Sequence, residues 1–506
     1  MVIDEQWTPD ERGISTLATG AGVSLFGRFF GGGLTLLGQV IVARLLGPAA
    51  YGLYAIGWTI LRTASVAVPL GMDQGIVRFA SPERVGDRAV RKGVIVKGLA
   101  FAGLAGTMVA LAVFLSAPWL ARSVFDKPGL EPVLRWFAPG MALAAGLKVA
   151  ADATRVSQQM QHGALAEEVV QPGSNLLLIL VAYGLGYGVA GAAAAGTFSF
   201  AVGLVVVGKY LVTLFPELVS RDVPLLTSFP ALLRFSIPAS LARTFGVTLM
   251  WSDRLFVGAF LTEADVGAYQ SASVAAGLFG IVLAAFNAIF GPMIAELHQN
   301  GKHQDLQELY RVSTKWGIYA SLPILLMFLL APNLVLQGVF GVGYGHAANA
   351  LRVLSLGQFC LVGVGAVGVI LTMAGYPKRW MVASGLALLA VVPLSLRLVP
   401  TFGMVGGALA VSISLAALFI WGLFQVKRLL DLWPYDRRFA KGLVASLVAA
   451  VAVLAGLRWL PGPDLVKLVG VMSVNLAAFS VCLAVLGFDR EDLVIWQTLS
   501  SRLRRL

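Results

Sequence analysis

The amino-acid sequence predicts an all-α polytopic membrane protein. About fourteen transmembrane helices are expected, as two parallel six-helix repeats (an N-lobe and a C-lobe) around a central cavity, plus two extra C-terminal helices. Three observations lead there. Of 506 residues, 58% are hydrophobic and only 13% charged, against roughly 25% charged in a soluble domain. Apolar runs of about 18 or more residues recur at short intervals, each able to cross a hydrocarbon core about 30 Å thick as a helix. Landmarks also repeat. ARLLGPAAYGLYA (Ala43 to Ala55) is echoed within MWSDRLFVGAFLTEADVGAYQ (Met250 to Gln270), and Gly267 lies 215 positions after Gly52. Gly403 and Gly406 follow Gly188 and Gly191 by the same 215, and Arg352 follows Arg135 by 217. A duplicated unit accounts for these offsets.

Helix one is expected from about Gly20 to Leu46 and helix two from Tyr51 to Val77, joined by an uncharged Gly47-Pro48 turn. The next loop holds Arg78, Arg84, Arg88, Arg91, Lys92 and Lys97, which places it, and the N-terminus with it, in the cytoplasm. Helices three (Gly98 to Ala117), four (Val133 to Ala151), five (Gly173 to Tyr187) and six (Val189 to Phe215) complete an N-lobe spanning 1–215. A cytoplasmic linker, 216–231, follows. Helices seven (Leu232 to Phe260), eight (Val266 to Ile294), nine (Trp316 to Leu336), ten (Ala347 to Met373), eleven (Trp380 to Leu398) and twelve (Gly403 to Val426) form a C-lobe, 232–427. Helices thirteen (Lys441 to Leu460) and fourteen (Leu465 to Leu486), with a cytoplasmic tail, make up 428–506.

Orientation has an independent check. Lys302, Arg311, Lys315, Lys378, Arg379, Lys427, Arg428, Arg437, Arg438, Lys441, Arg502, Arg504 and Arg505 fall in alternate segments, so both termini are expected inside. An even number of helices per repeat makes the two copies enter the membrane in one direction, related by an axis along its normal. Such lobes transport by rocking. A purely structural pore is poorly supported, because no filter motif is present.

Several classes are excluded. A net charge of +12 and a pI near 9.8 would suggest nucleic acid in a soluble chain, but here the basic residues report topology. Cys360 and Cys482 lie in apolar spans and give no disulfide framework. Met1 to Ser15 is polar, with Asp4, Glu5, Asp10 and Glu11, so no cleavable signal peptide is expected. His162, His298, His303 and His346 have no partners at metal-ligand spacing, so no metal site is expected. No phosphate-cradling GxxxxGK[ST] loop is present to drive ATP hydrolysis.

The chemistry lies in charges inside the spans. Helix one carries Arg28 and Gln39, helix two Arg62 and Asp73, and helix seven Arg243 and Arg254, each pair eleven residues apart. Eleven residues are about three helical turns, which puts each pair on one face. An Arg at the bilayer centre costs about 2.5–3.5 kcal/mol, so these faces are expected to line the cavity. Clustered guanidinium groups suit phosphate oxygens, which points to a substrate bearing phosphate or pyrophosphate. The candidate substrate-binding residues are Arg28, Arg62, Arg243, Arg254 and Gln39. Other readings stand beside these. Arg44 and Arg254 are placed to snorkel or cap helix ends, and Lys148, Lys209 and Arg352 to snorkel at the interface. Asp253 suits an ion pair with Arg254, and Asp73 can neutralise an arginine or, like Asp253, bind a coupling cation.

The segments VIVARLLGPAAYGLYAIGWTI (Val40 to Ile60), SDRLFVGAFLTEADVGAYQSAS (Ser252 to Ser273), ELYRVSTKWGIYASLPILL (Glu308 to Leu326), VFGVGYGHAANALRVLSLG (Val339 to Gly357) and LVPTFGMVGGALAVSIS (Leu398 to Ser414) have a common implication. Together they resemble, in order, the bacterial polysaccharide flippases of the multidrug, oligosaccharidyl-lipid and polysaccharide exporter superfamily. The resemblance implies a non-enzymatic flippase of the bacterial inner membrane that moves an undecaprenyl-diphosphate-linked oligosaccharide from the cytoplasmic to the outer leaflet by alternating access. It implies no cofactor, with proton or sodium coupling or the membrane potential as energy source. The partners it implies are the lipid-linked oligosaccharide, membrane lipids and polysaccharide polymerase or glycosyltransferase machinery, with no nucleic acid. It points to cationic residues of helices one, two and seven, here Arg28, Arg62 and Arg243 or Arg254. The two last helices resemble a pair that holds the lipid tail in peptidoglycan-precursor flippases. Two other readings are a drug/cation antiporter of the same superfamily, with an acidic cavity and twelve helices, and a membrane-embedded glycosyltransferase or polymerase with a large extramembrane domain.

Overall fold

The computed structural model of the chain describes residues 11–81, 87–157, 159–487 and 489; for 11–30, Met160, Ala239, Ala242, Ala288, Ile289 and Pro292 it describes the backbone alone. The side chain of Arg28, and Arg84, Arg502, Arg504 and Arg505, thus lie outside the described residues. Every regular element among the described residues is helical. They are α1 (Glu11–Ala67), α2 (Met72–Ala80), α3 (Arg88–Trp119), α4 (Leu130–Ala153), α5 (Met160–Ala164), α6 (Gln171–Gly184), α7 (Gly188–Leu214), α8 (Phe229–Phe260), α9 (Glu263–Ala276), α10 (Leu278–Gln299), α11 (His303–Leu330), α12 (Pro332–Phe340), α13 (Ala348–Val364), α14 (Val367–Met373), α15 (Pro377–Leu430), α16 (Phe439–Trp459) and α17 (Asp464–Val485). Among the described residues eleven stretches are long and apolar enough to cross a bilayer, so the chain is a multi-pass membrane protein.

The glycine turns read from sequence are where the longest helices break. Gly47 interrupts α1 at φ 74, ψ 171, a region open essentially to glycine alone, and Gly403 interrupts α15 at φ 58. Other expected helices are divided differently. Helix two stops at Ala67, because Leu70 and Gly71 take φ 44 and 78 and redirect the chain into α2. Helix nine breaks at Ala331, which Pro332 excludes from helical geometry, and helix ten breaks at Gly365, φ 75. Helix eight is interrupted at Gly277. Helix five starts at Met160 rather than Gly173, and passes through a π turn, Leu165–Val170, just before Pro172. A π turn already spoils the regular ladder there, so the missing proline N–H disrupts less.

The chain divides into two compact units, 1–42 with 56–247 and 43–55 with 248–506. In the first, Trp58 stacks on Phe200 and meets Phe137 edge-on, with ring centroids 6.0 and 5.9 Å apart, at the packing of α1, α4 and α7. In the second, Tyr51, Tyr54, Tyr269 and Tyr344 are all buried, and Tyr344 donates to the Ala43 carbonyl at 2.6 Å. Here the two copies of the repeated Gly-x-Tyr motif lock together. A Cβ on Gly52 would lie 2.0 Å from the Glu263 carbonyl oxygen, and one on Gly267 1.9 Å from that of Pro48. The backbones cross so closely that only glycine fits at either position.

The last two helices are fastened to α11. Buried Asn475 of α17 donates to the Pro323 carbonyl at 2.8 Å, Tyr319 to the Arg438 carbonyl at 2.7 Å, and buried Lys315 pairs with Asp489 at 3.1 Å.

Candidate functional site

In the first unit the close packing of α2 on α8 builds the site. A Cβ on Gly71 would lie 2.2 Å from the Ser236 carbonyl, so α2 enters against α8 with Asp73 in its first turn. Two turns along α8 from Ser236, Arg243 donates to the buried Asp73 carboxylate. That side chain is 35% exposed. The turn at Leu70–Gly71 also separates Arg62 from Asp73, so their eleven-residue spacing does not set them on one helical face.

Lys148 lies within electrostatic reach of Arg243. It is no interfacial snorkel: Lys148 Nζ meets Glu167 at 3.1 Å and Asp152 at 3.4 Å, and Asp152 meets Arg155 at 3.0 Å. Three carboxylates thus balance Lys148, Arg155 and Arg243 in this group. Lys148, Asp152 and Glu167 do not stand out as a set in the sequence. The four-residue spacing of Lys148 and Asp152 on an apolar helix is a signal for them, while Glu167 lies before the expected start of helix five at Gly173.

Arg62 is different. It is exposed on α1, 5.9 Å from the Trp58 ring centroid, and no carboxylate pairs with it among the described residues. Gln39, also on α1, is buried. Arg62 lies in an apolar span, where contact with hydrocarbon would cost about 2.5–3.5 kcal/mol, so its guanidinium requires water or an anion.

In the second unit Arg254 and Asp253 are buried and bonded within the protein. Arg254 donates through Nε to Gln270 at 2.8 Å and through Nη1 to the Met250 carbonyl at 3.0 Å, and lies 4.4 Å from the Trp251 ring centroid. Asp253 accepts from Tyr269 at 2.7 Å and sits 3.5 Å from the Arg254 guanidinium. These bonds staple α8 to α9. Arg44 caps α12, donating to the carbonyls of Val339 and Gly338 at 2.7 and 2.5 Å, and Arg352 caps α11 through the Leu329 carbonyl at 3.0 Å. His346 lies 3.5 Å from Asp265, and His162 stacks on Tyr210. Among the described residues no three His, Cys, Asp or Glu side chains are grouped to hold a metal.

Comparison with known proteins gives this architecture a context. The model of a family described as polysaccharide biosynthesis protein matches residues 41–349, more than half of the chain. The probable low-salt glycan biosynthesis flippase Agl15 of Haloferax volcanii is 22% identical over 441 residues, 86% of this chain and 88% of the relative. Among solved structures, the lipid II flippase MurJ in an inward closed conformation matches with TM-score 0.71 at 14% identity, over 93% of this chain and 99% of its own. An inward-facing multidrug resistance MATE family transporter of the MOP superfamily matches with TM-score 0.68 at 19% identity, over 81% and 98%. The chain shares the fold of these transporters.

Proposed function

The chain belongs to the family of polysaccharide biosynthesis proteins, and from that premise we propose that it is a flippase, moving a polyprenyl-diphosphate-linked oligosaccharide from the cytoplasmic to the outer leaflet by alternating access. The observation that carries this reading is Arg62, a cation in an apolar span with no carboxylate partner among the described residues. A diphosphate offers oxygens to several guanidinium donors at once. Arg243 is the second contact, since Asp73 neutralises it but leaves part of the guanidinium open. Arg254 has a structural role in this scheme, being buried and bonded through Nε to Gln270 and through Nη1 to the Met250 carbonyl.

The proposal keeps lobes at 1–215 and 232–427, a linker at 216–231 and both termini in the cytoplasm. It also keeps about fourteen spans. Two of the eleven apolar stretches contain the glycine breaks at Gly47 and Gly403, and α8 falls outside the eleven, carrying Arg234, Arg243, Asp253 and Arg254. The protein then acts as a transporter rather than an enzyme, in a bacterial inner membrane, beside the machinery that polymerises the glycan. An antiporter of cationic drugs is disfavoured because Arg62, which has no carboxylate partner among the described residues, is itself a cation.

Binding separates the two. Purified protein in detergent is expected to bind a polyprenyl-diphosphate disaccharide, with affinity lowered about tenfold by Arg62→Ala. Binding of a cationic dye with no competition from the lipid diphosphate would overturn the proposal.

A further inference from the structure

The two arms of α15 fold against each other at Gly403, and between them runs an apolar groove of about 560 Å³. Its walls include Val382, Leu386, Ala390, Leu418 and Trp421, and its mouth is formed by Lys378 and Arg379. Lys378 is exposed and has no partner among the described residues. Arg379 reaches across the mouth to Gln425 at 3.2 Å and stacks at 5.4 Å on Tyr376. Lys427 and Arg428, in the last turn of α15, add positive charge at the same end, and only Lys427 is offset, by Asp431 at 2.6 Å. Trp380, Trp421 and Tyr376 supply the aromatic ring groups that suit the boundary between headgroups and hydrocarbon.

The hairpin that corresponds to α15 in the repeat is α6 with α7. It has an apolar groove of about 500 Å³ at its other end, beside the Gly188 turn, lined by Val181 and Phe198 and by Trp136 of α4, and no cation lines it. At the repeat offset of 215 the positions of Lys378 and Arg379 are held by Gly163 and Ala164, so the paired cations are particular to α15.

We propose that the α15 groove is a binding site for an anionic phospholipid of the cytoplasmic leaflet, its phosphate on Lys378 and Arg379 and an acyl chain along Val382, Leu386 and Leu418. Basic pockets between transmembrane helices at the cytoplasmic side recognise such headgroups, each cation near the surface adding measurably to the attraction. The assignment rests on the orientation proposed above. A bilayer lipid, rather than the transported substrate, fits because one hairpin forms the whole groove, and because Val382 and Leu386 are 55% and 62% exposed, open to sideways entry.

The test is native mass spectrometry of the full-length protein in mild detergent, titrated with dioleoyl phosphatidylglycerol or dioleoyl phosphatidylcholine. The wild type is expected to retain phosphatidylglycerol at least about fivefold better. Lys378→Gln with Arg379→Gln should abolish the preference, whereas Lys302→Gln should keep it. Ala390→Phe, which fills the groove from an exposed position and leaves every charge in place, should reduce retention of both lipids. Equal retention by the wild type, or a preference that survives the double substitution, would overturn the site. So would displacement of phosphatidylglycerol by a polyprenyl phosphate whose own binding is lost in the same variants. The readout involves no leaflet transfer, so its failure and failure of the proposed function are distinguishable.

Discussion

Arg62 and Arg243 both lie in membrane-crossing helices, yet only one has its charge answered. Arg243 donates to buried Asp73, whereas Arg62 has an aromatic neighbour and exposure. Arg62→Ala is therefore expected to lower transfer about tenfold or more while leaving the thermal midpoint unchanged. Arg243→Ala should lower the midpoint as well, because Asp73 is left buried without its donor, a loss of about 1–3 kcal/mol. Adding Asp73→Asn to that variant should recover most of the loss, as thermal unfolding in detergent would show. Sequence placed both arginines among the candidates and left a pairing with Asp73 open. It could not separate them, because the pairing depends on a turn with positive φ at Leu70 and Gly71 that redirects α2. A leucine in that conformation leaves no signature in hydropathy.

At the level of elements, the repeated Gly-x-Tyr motif shows what sequence reveals well. Gly52 and Gly267 correspond by offset alone, and in the structure their backbones cross within one unit. Gly52→Ala or Gly267→Ala forces the crossing apart and should destabilise the protein by about 1–3 kcal/mol, read as a fall in thermal midpoint for each. Breaks inside apolar runs were less legible. Val68 to Gly71 is flanked by hydrophobic residues on both sides, so hydropathy carries no boundary there, whereas the polar stretch from Glu167 to Asn175 reads as a loop although it is helical. The attachment of α16 and α17 was also invisible, since Lys315 and Asp489 are 174 positions apart. Burial alone would raise the Asp489 carboxyl, but hydrogen bonds from Lys441 and Lys315 and their charges outweigh it and hold it below the usual carboxylate range. A carboxyl lowered in the folded state stabilises above its unfolded value of about 3.9, and that contribution is lost as pH falls through the folded value. The thermal midpoint is expected to drop on acidification below about pH 4, with this component absent in Asp489→Asn. An unchanged acid profile in that variant would contradict the fastening role.

For the whole molecule, the all-helical membrane architecture was legible because composition and run length constrain it strongly, and the shared fold with MurJ and MATE transporters agrees with it. The division into compact units was not, since 43–55 lies with the second unit through long-range packing that no local pattern reports. On the proposed function, two phosphate charges moving outward across an inside-negative membrane gain about 2.3 kcal/mol per charge per 100 mV if they cross the full field. Transfer should then accelerate under an imposed potential with no nucleotide present. The most direct measurement uses liposomes containing the protein and a fluorescent polyprenyl-diphosphate oligosaccharide, with a membrane-impermeant quencher reporting the leaflet and a cationic dye followed in parallel. The account predicts protein-dependent glycan-lipid transfer, slowed by Arg62→Ala, with no dye export; dye export with no glycan-lipid movement would contradict it.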